Sequence, residues 1–152
     1  HGLAIVFARA FNQIGLRQSS DYVLSDFCRQ IAWMEAKRKP AVLKVGNLEV
    51  VRDFIHVRDA VRAYATLASR GRKGESYNVG SGEGISLKKV LKFLVAQSRV
   101  PFKIQSIKTR LHRNDFPQVV ANPAKLRKLG WRPQESIWEG LQELLNEWRG
   151  KL

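Results

Sequence analysis

The sequence predicts an α/β fold, because short apolar runs typical of strands alternate with amphipathic helical stretches along the chain. Its 152 residues contain no internal repeat or low-complexity linker and correspond to one domain, residues 1–152, with a modest core. The first strand-like run, residues 2–9, leads to Asn12 and Gly15. We therefore expect an amide side chain at the carboxyl end of a buried strand, where open α/β sheets bind their ligands.

Hydrophobic periodicity, caps and turn residues predict the remaining elements in order. They are a helix from Ser20 or Asp21 to about Lys37, strands at 41–45 and 49–54, a helix at about 57–69, a strand at 76–79, a helix capped by Ser86, a strand at 101–108, a short helix from Asn122-Pro123 to Gly130, and a last helix that opens with a capping box at Ser136. A hairpin-type or bulged turn at Gly46-Asn47 is predicted to join the two strands that flank it.

The net charge of +14 arises from 27 Lys and Arg against 13 Asp and Glu. The basic residues are spread over predicted helix faces and helix ends, so a solvated surface is the default interpretation. A funnel for an anionic substrate is the main alternative, and a basic polyanion-binding module without a substrate is the third. Specific nucleic-acid binding is not expected, because the sequence shows no module that concentrates basic residues among aromatics.

Several other kinds of protein are not favoured by the sequence. No apolar run approaches the roughly 20 residues of a membrane span, so no membrane partner is expected. The lone Cys28 excludes an intrachain disulfide and suits a reducing compartment, which predicts a cytoplasmic protein. His1, His56 and His112 have no Cys, Asp or Glu at metal-ligand spacing, so no metal site is predicted. We expect His56 to cap the helix that follows it.

A glycine-rich turn, Gly80-Ser81-Gly82-Glu83-Gly84, lies between a predicted strand and a predicted helix. A dinucleotide fingerprint requires G-x-G-x-x-G spacing and an acidic residue about 20 positions later, and this turn has neither. We interpret it as a strand-to-helix turn that needs a positive φ. The sequence also lacks a Tyr-x-x-x-Lys pair, because Asp26, Ala68 and Ser81 stand four residues after its three tyrosines.

The chain resembles the extended short-chain dehydrogenase/reductases that act on nucleotide-sugars in two stretches, Arg9-Ala10-Phe11-Asn12-Gln13-Ile14-Gly15 and Gly46-Asn47-Leu48-Glu49-Val50-Val51-Arg52-Asp53-Phe54. The resemblance runs from about residue 5 to the end of the chain and covers only the second half of that family. It implies the C-terminal, substrate-binding portion of such an enzyme. Residues 2–9 would then be a strand of the missing Rossmann sheet.

Within this family the chain is most similar to reductases of GDP-4-keto-6-deoxymannose, and next to GDP-mannose 4,6-dehydratases. The resemblance implies an intact enzyme that uses NAD(P)(H) to reduce the 4-keto group of a GDP-6-deoxyhexose. A GDP-mannose 4,6-dehydratase, or another NAD-dependent nucleotide-sugar epimerase or dehydratase, is the alternative. Because the glycine-rich cofactor turn and the Tyr-x-x-x-Lys pair are absent, we expect this chain to bind no cofactor and to catalyse nothing alone. Its expected partners are the missing N-terminal Rossmann half and, through an exposed strand edge, further copies of itself.

Side-chain chemistry and the resemblance together assign the phosphate-binding residues. Asn12 can donate its amide to a phosphate oxygen, and Arg52 offers a planar guanidinium fork that matches phosphate geometry. The structural alternatives are a turn-forming amide for Asn12 and an ion pair with Asp53 or Glu49 for Arg52. We expect Asp53 to organise the following helix start rather than to touch a ligand. Gly46-Asn47-Leu48 matches the family segment that lies near the base and the phosphates.

The resemblance also assigns residues to the base, the ribose and the cofactor. Val23 matches a valine that packs against the base. Asp26 lies one turn later on the same side of the helix and can accept the guanine N1–H and N2–H pair, although a surface aspartate is the alternative. Ala10 and Phe11 are assigned to the cofactor side. In the segment 111–117, Asp115 matches an acid that binds ribose hydroxyls, and His112 stands in place of a phosphate-binding arginine whose charge Arg110 or Arg113 could supply.

Overall fold

The computed structural model describes residues 2–38, 41–107 and 116–152, and these ranges contain eight strands and five helices. In chain order they are β1 (Phe7–Ala10), β2 (Asn12–Ile14), α1 (Val23–Lys37), β3 (Ala41–Val45), β4 (Val51–His56), α2 (Val57–Arg70), β5 (Ser76–Val79), β6 (Gly84–Ser86), α3 (Leu87–Ala96), β7 (Phe102–Ser106), β8 (Gln118–Val119), α4 (Ala124–Arg127) and α5 (Ile137–Lys151). This succession of strands and helices confirms the α/β class. None of the helices in the described ranges is long and apolar enough to cross a membrane.

The strands form three small sheets that are mostly parallel. β1 pairs with β5 and β3 pairs with β7, both in parallel. β4 is the centre of the third sheet, where β2 and β8 pair with it in parallel and β6 pairs with it antiparallel. Only Phe11 separates β1 from β2, so the chain passes directly from the first sheet into the third.

Two apolar clusters form the core. The larger cluster joins α1, α3 and α5 to β3 and β4, and its buried side chains include Phe27, Ile31, Leu43, Leu94 and Leu144. The smaller cluster joins α2 to β5, α4 and the segment after α4, through Ala60, Leu67, Tyr77, Leu126 and Trp131. Apolar residues three or four positions apart supply these contacts, because that spacing places them on one face of a helix.

The first strand is shorter and more exposed than the sequence predicts. Pairing begins at Phe7 rather than at residue 2, because the partner strand β5 is only four residues long. The strand is not buried, since Leu3, Ile5 and Phe7 expose 67%, 49% and 52% of their surface. Their alternate spacing places them on one side of the extended chain, whereas Val6 packs against the smaller core cluster. The side of this segment that carries Leu3, Ile5 and Phe7 is therefore open, and Val6 is the one residue of 2–10 that is partly buried.

The predicted hairpin at Gly46-Asn47 is wrong. β3 and β4 follow one another in the chain but belong to different sheets. Ala41 of β3 lies opposite Phe102 of β7, and Val51 of β4 lies opposite Ser86 of β6. Packing of each strand in the core decides these pairings, and proximity along the chain does not.

Three predicted helix caps are confirmed. The Oγ atoms of Ser86 and Ser136 each accept a hydrogen bond of 3.2 Å from a backbone N–H at the start of α3 and α5. His56 Nδ1 accepts the N–H of Arg58 at 3.1 Å and so caps α2. These caps fix where each helix begins, because the first N–H groups of a helix have no partner within it.

Two other predicted helix starts are wrong. α1 begins after Tyr22, so neither of the two residues predicted to cap it does so, and Asp21 instead accepts a hydrogen bond from Ser19. α4 begins at Ala124, so Pro123 lies just before the first helical position rather than at it. The Asn122 side chain still accepts the N–H of Ala124, at 3.1 Å.

Candidate functional site

A cleft opens where β1 is succeeded by β2, beside the start of α1. It consists of two neighbouring cavities of about 780 and 600 Å³. Asn12, Val23 and Phe54 line both cavities and therefore mark the boundary between them. Asn12 follows the carboxyl end of β1, which is where open α/β sheets bind their ligands.

Asn12 bridges two strands at the centre of this cleft. It belongs to β2, where it lies opposite Phe54 of β4, and not to a turn. Its Nδ2 donates a hydrogen bond of 3.2 Å to the backbone oxygen of Asp53. This bond fixes the orientation of the amide, so the side chain is held in place before any ligand arrives.

Arg52 lines the smaller cavity from the neighbouring strand β4. Its Nη1 donates to the backbone oxygens of Val51 and Phe116, at 2.9 and 2.8 Å. These contacts hold the guanidinium beside the segment that leads into β8. A guanidinium fixed in this way presents a permanent positive charge to the cavity, because arginine does not lose its proton in proteins.

Asp53, next to Arg52, has a structural role, but it does not organise the start of α2 as predicted. It does not line either cavity. Its fully buried carboxylate accepts hydrogen bonds from Ser81, Gly82 and Ala121, so it organises the turn after β5 rather than the start of α2. Gly82 in that turn has a φ of +83°, which confirms the predicted need for a glycine with positive φ.

The start of α1 supplies Val23 and Asp26 to the smaller cavity. Asp26 is 8% exposed and is therefore not a surface aspartate. Its Oδ1 accepts from Arg29 Nη2 at 2.6 Å and its Oδ2 accepts from Gln30 Nε2 at 2.7 Å. Gln30 in turn bonds the backbone N–H and oxygen of Lys44 in β3. The carboxylate is thus fixed relative to both α1 and β3.

Gly46 and Asn47 also line the smaller cavity, whereas Leu48 does not. Asn47 Oδ1 accepts the N–H of Glu49 at 3.0 Å and so shapes the connection between β3 and β4. Leu48 is partly buried and packs against the larger core cluster. The structure therefore brings two of these three assigned residues to the cavity and turns the third inward.

The larger cavity contains both residues assigned to the cofactor side, Ala10 and Phe11. Polar and aromatic side chains from β1, β2 and the segment before α1 line it as well, and α1 and β8 add apolar residues: Arg9, Gln13, Gln18, Tyr22, Leu24 and Val119. The assigned cofactor side and the assigned substrate side thus meet at Asn12.

Three of the residues assigned from the resemblance, His112, Arg113 and Asp115, lie outside the described residues. Sequence reasoning did not assign Phe54 or Arg29, although both line the smaller cavity. The signals were present, because Phe54 lies two positions after Arg52 on a strand and Arg29 lies three positions after Asp26 on a helix.

Cys28 does not have the properties of a nucleophile. Burial raises the pKa of its thiol to about 12, although Arg149 acts in the opposite direction. Such a thiol remains protonated near neutral pH and is therefore unreactive. Within residues 2–38, 41–107 and 116–152 there is no group of three or more His, Cys, Asp or Glu that could hold a metal ion.

The sequence model of the family described as GDP-mannose 4,6 dehydratase matches residues 1–144. The chain belongs to this family. It is 32% identical to GDP-6-deoxy-D-mannose reductase of Pseudomonas aeruginosa over 152 residues, which cover 99% of this chain and 50% of that protein. It is 35% identical to CDP-abequose synthase of Salmonella typhimurium over 115 residues, or 71% of this chain and 38% of that protein.

Solved structures of this group have the same fold. The chain matches the structure of RMD from Pseudomonas aeruginosa complexed with NADPH with a TM-score of 0.90 and 32% identity, covering 99% of this chain and 50% of that one. It matches UDP-glucose 4-epimerase of Thermus thermophilus in complex with NAD with a TM-score of 0.76 and 29% identity, covering 99% and 48%. The chain spans about half the length of the relatives it matches. The predicted relationship to the C-terminal portion of extended nucleotide-sugar dehydrogenase/reductases is confirmed.

Proposed function

We propose that residues 1–152 form the nucleotide-sugar-binding domain of an NAD(P)-dependent enzyme that reduces the 4-keto group of GDP-4-keto-6-deoxymannose. The proposal places the phosphates near Asn12 and Arg52, and the base near Val23 and Asp26. The N-terminal, NAD(P)-binding half would be its partner, and the open side of the β1 segment is available to contact that half.

The observation that carries this proposal is the shared boundary of the two cavities. A reductase must place the sugar carbonyl beside the nicotinamide, and therefore needs a substrate site next to a cofactor site. Here the cavity that contains Ala10 and Phe11 meets the cavity that contains Asp26 and Arg52. A sugar that extends from phosphates held by Arg52 and Asn12 would enter the boundary between the two cavities.

The residues of the larger cavity fit a nicotinamide in chemical terms. Ala10 and Phe11 provide a small side chain and an aromatic wall, and the amide side chains of Gln13 and Gln18 line the same cavity as polar partners. When bound, NAD(P)H would supply the hydride. The part of this chain is to orient the sugar and to hold the charge of the phosphates, because its described residues include no Tyr-x-x-x-Lys pair.

The first alternative keeps the family and changes the reaction to that of a dehydratase or epimerase. By the resemblance, Asp26 and the Arg52-Asp53-Phe54 stretch favour the reductase, because the dehydratases carry a lysine at the position of Asp26. The buried, fixed carboxylate of Asp26 also suits a base that donates hydrogen bonds, as guanine does, which favours GDP-sugars over uracil nucleotides.

The second alternative is a basic module that binds polyanions, which the net charge of +14 favours. The two functions differ in their salt dependence. Binding to nucleic acid falls steeply and regardless of sequence between low and physiological salt, because counterions are released on binding. Binding of a GDP-sugar in a shaped cavity should persist at physiological salt and prefer one base.

Calorimetric titration at physiological salt tests the proposal, with GDP-mannose as ligand and UDP-glucose as control. We expect binding of GDP-mannose that exceeds that of UDP-glucose and is lost in Arg52→Ala. Arg72→Ala removes the same charge from an exposed position outside both cavities and should leave binding unchanged. Equal loss in both variants, or equal binding of both ligands, would contradict the proposal. Absence of binding by the unmodified chain would contradict the claim that this domain holds the nucleotide by itself.

A further inference from the structure

We propose that Arg29, acting beside Asp26, determines which base the smaller cavity accepts, and that this base is guanine. The inference rests on the proposed function, because it concerns the base of the nucleotide-sugar held in the same cavity. It adds a specificity-determining residue that the family resemblance does not assign.

Arg29 is built into the wall of the smaller cavity. It lies on α1 one turn after Asp26, and both side chains line this cavity. The Arg29 side chain is 38% exposed and that of Asp26 is 11% exposed. The pair is therefore accessible from the cavity on its outer side, whereas its inner side is covered by the protein. A ligand that enters beside Val23 would meet the carboxylate and the guanidinium side by side.

The pair is rigid on the protein side. Gln30 bonds Asp26 Oδ2 at 2.7 Å and is itself held by two hydrogen bonds to the backbone of Lys44. Arg29 Nη2 then contacts Asp26 Oδ1 at 2.6 Å. The positions of one acceptor group and one donor group are therefore set before a ligand binds, which is what recognition by hydrogen bonds requires.

The Arg29 guanidinium makes few hydrogen bonds with the described residues. Over the described ranges of the chain, Arg29 makes this single side-chain hydrogen bond, although a guanidinium carries five N–H donors. Its Nε is a buried donor without a partner. The exposed part of the same guanidinium lines the cavity, so a ligand acceptor that reaches it would add a hydrogen bond to a charged donor.

Guanine matches this arrangement along one edge. N1–H and the N2 amino group are two adjacent donors that can face the Asp26 carboxylate, and O6 is an acceptor beside them that can face Arg29. Uracil and thymine have a carbonyl oxygen where guanine has the N2 amino group. That oxygen would face the Asp26 carboxylate and be repelled by it. Cytosine offers one amino group and would satisfy the carboxylate through a single donor.

Three diphosphates test this assignment by calorimetry on the unmodified chain and on Arg29→Ala. They are GDP, 6-thioguanosine diphosphate, which replaces O6 by the weaker acceptor sulfur but keeps N1–H and the N2 amino group, and inosine diphosphate, which lacks the N2 amino group. The unmodified chain should bind GDP about threefold or more tightly than the 6-thio analogue, because sulfur accepts the hydrogen bond from Arg29 more weakly than oxygen does. In Arg29→Ala that preference should disappear, whereas the preference for GDP over inosine diphosphate, which reports on Asp26, should remain.

The outcomes separate this inference from the proposed function. If the unmodified chain binds GDP but shows no preference over the 6-thio analogue, or if Arg29→Ala keeps that preference, Arg29 does not read the base. Equal binding of CDP and GDP would contradict the choice of guanine. If no nucleoside diphosphate binds, the proposed function fails and this inference fails with it. The comparison of ligands on the unmodified chain needs no variant, so it remains decisive even if Arg29→Ala does not fold.

Discussion

Asp53 holds Ser81 through two hydrogen bonds to the same carboxylate oxygen. The Ser81 backbone N–H donates to Oδ1 at 2.8 Å and the Ser81 hydroxyl donates to it at 2.6 Å. The N–H groups of Gly82 and Ala121 donate to Oδ2 at 2.8 and 3.1 Å. Four donors thus compensate a fully buried charge, and they fix the strand that carries Arg52 to the turn after β5.

Replacing Asp53 should destabilise the whole domain. Asp53→Asn keeps the shape but turns one acceptor into an amino group that faces N–H donors, so buried donors lose their partners. We expect the free energy of unfolding to fall by about 2–4 kcal/mol, measured by urea denaturation. Glu49→Gln removes a charge from an exposed pair with Lys88 and should change it by less than about 0.5 kcal/mol. A similar small change for both variants would show that the Asp53 contacts contribute little.

Gly80 is required by a close approach rather than by its backbone angle. A methyl group at this position would lie 2.5 Å from the Ala121 Cβ and 2.8 Å from Asp53 Oδ2. Gly80→Ala should therefore lower the free energy of unfolding by about 1–3 kcal/mol through overpacking. Gly150→Ala is the matched control, because a methyl group there has no neighbour within 4 Å and alanine favours a helix. In the same denaturation experiment, Gly80→Ala should lower the free energy of unfolding and Gly150→Ala should raise it.

The helices were easier to predict from the sequence than the pairing of the strands. The caps at Ser86 and Ser136 are local, because each depends on a hydroxyl and an N–H within three residues. The pairing of Ala41 with Phe102 joins residues that are far apart in the chain, and no local pattern distinguishes it from a hairpin.

The candidate site was likewise predicted in part. Arg52, proposed from its chemistry, and Asp26, proposed from the resemblance, both line the smaller cavity, but Leu48 packs inward although its neighbours line the cavity. The spacing of Arg29 from Asp26 is visible in the sequence, but the contact between them and the buried Arg29 Nε are visible only in the structure. Two side chains three residues apart on a helix can contact each other, so the spacing permits this ion pair. The cavity that the pair lines is not visible in the sequence.

Glu35 should make stability depend on pH. Burial acts to raise the pKa of Glu35, but hydrogen bonds from Arg149 and the Arg99 N–H outweigh it, so the pKa lies below its ordinary value of 4.5. Arg149 Nε and Nη2 donate to the two carboxylate oxygens at 2.7 and 2.9 Å, and the Arg99 N–H donates at 2.9 Å. Because the pKa is lowered in the folded state, this stabilisation is complete above about pH 4.5 and is lost as the pH falls through the folded pKa.

The measurement is urea denaturation of the unmodified chain and of Glu35→Gln between pH 7 and pH 3. At pH 7 the variant should be less stable by about 1–2 kcal/mol, and the difference should shrink below about pH 4.5. In an Arg149→Met background the pH-dependent part of the difference should largely disappear, since the main partner is gone. A difference that stays constant with pH would mean that Glu35 acts by packing and not by its charge.

The open side of the β1 segment should cause the isolated domain to self-associate. Leu3, Ile5 and Phe7 are exposed on one side, and among the described strands β1 pairs with β5 alone, so an apolar strand edge is available to a second chain. Light scattering after size-exclusion chromatography should show species larger than a monomer at high protein concentration. Phe7→Lys should shift the distribution toward the monomer, because a charge on an edge strand opposes pairing. Leu152→Lys adds the same charge at an exposed position at the end of the chain and should have no such effect. A monodisperse monomer at all concentrations would contradict the prediction and would show that the exposed apolar side chains do not suffice for association.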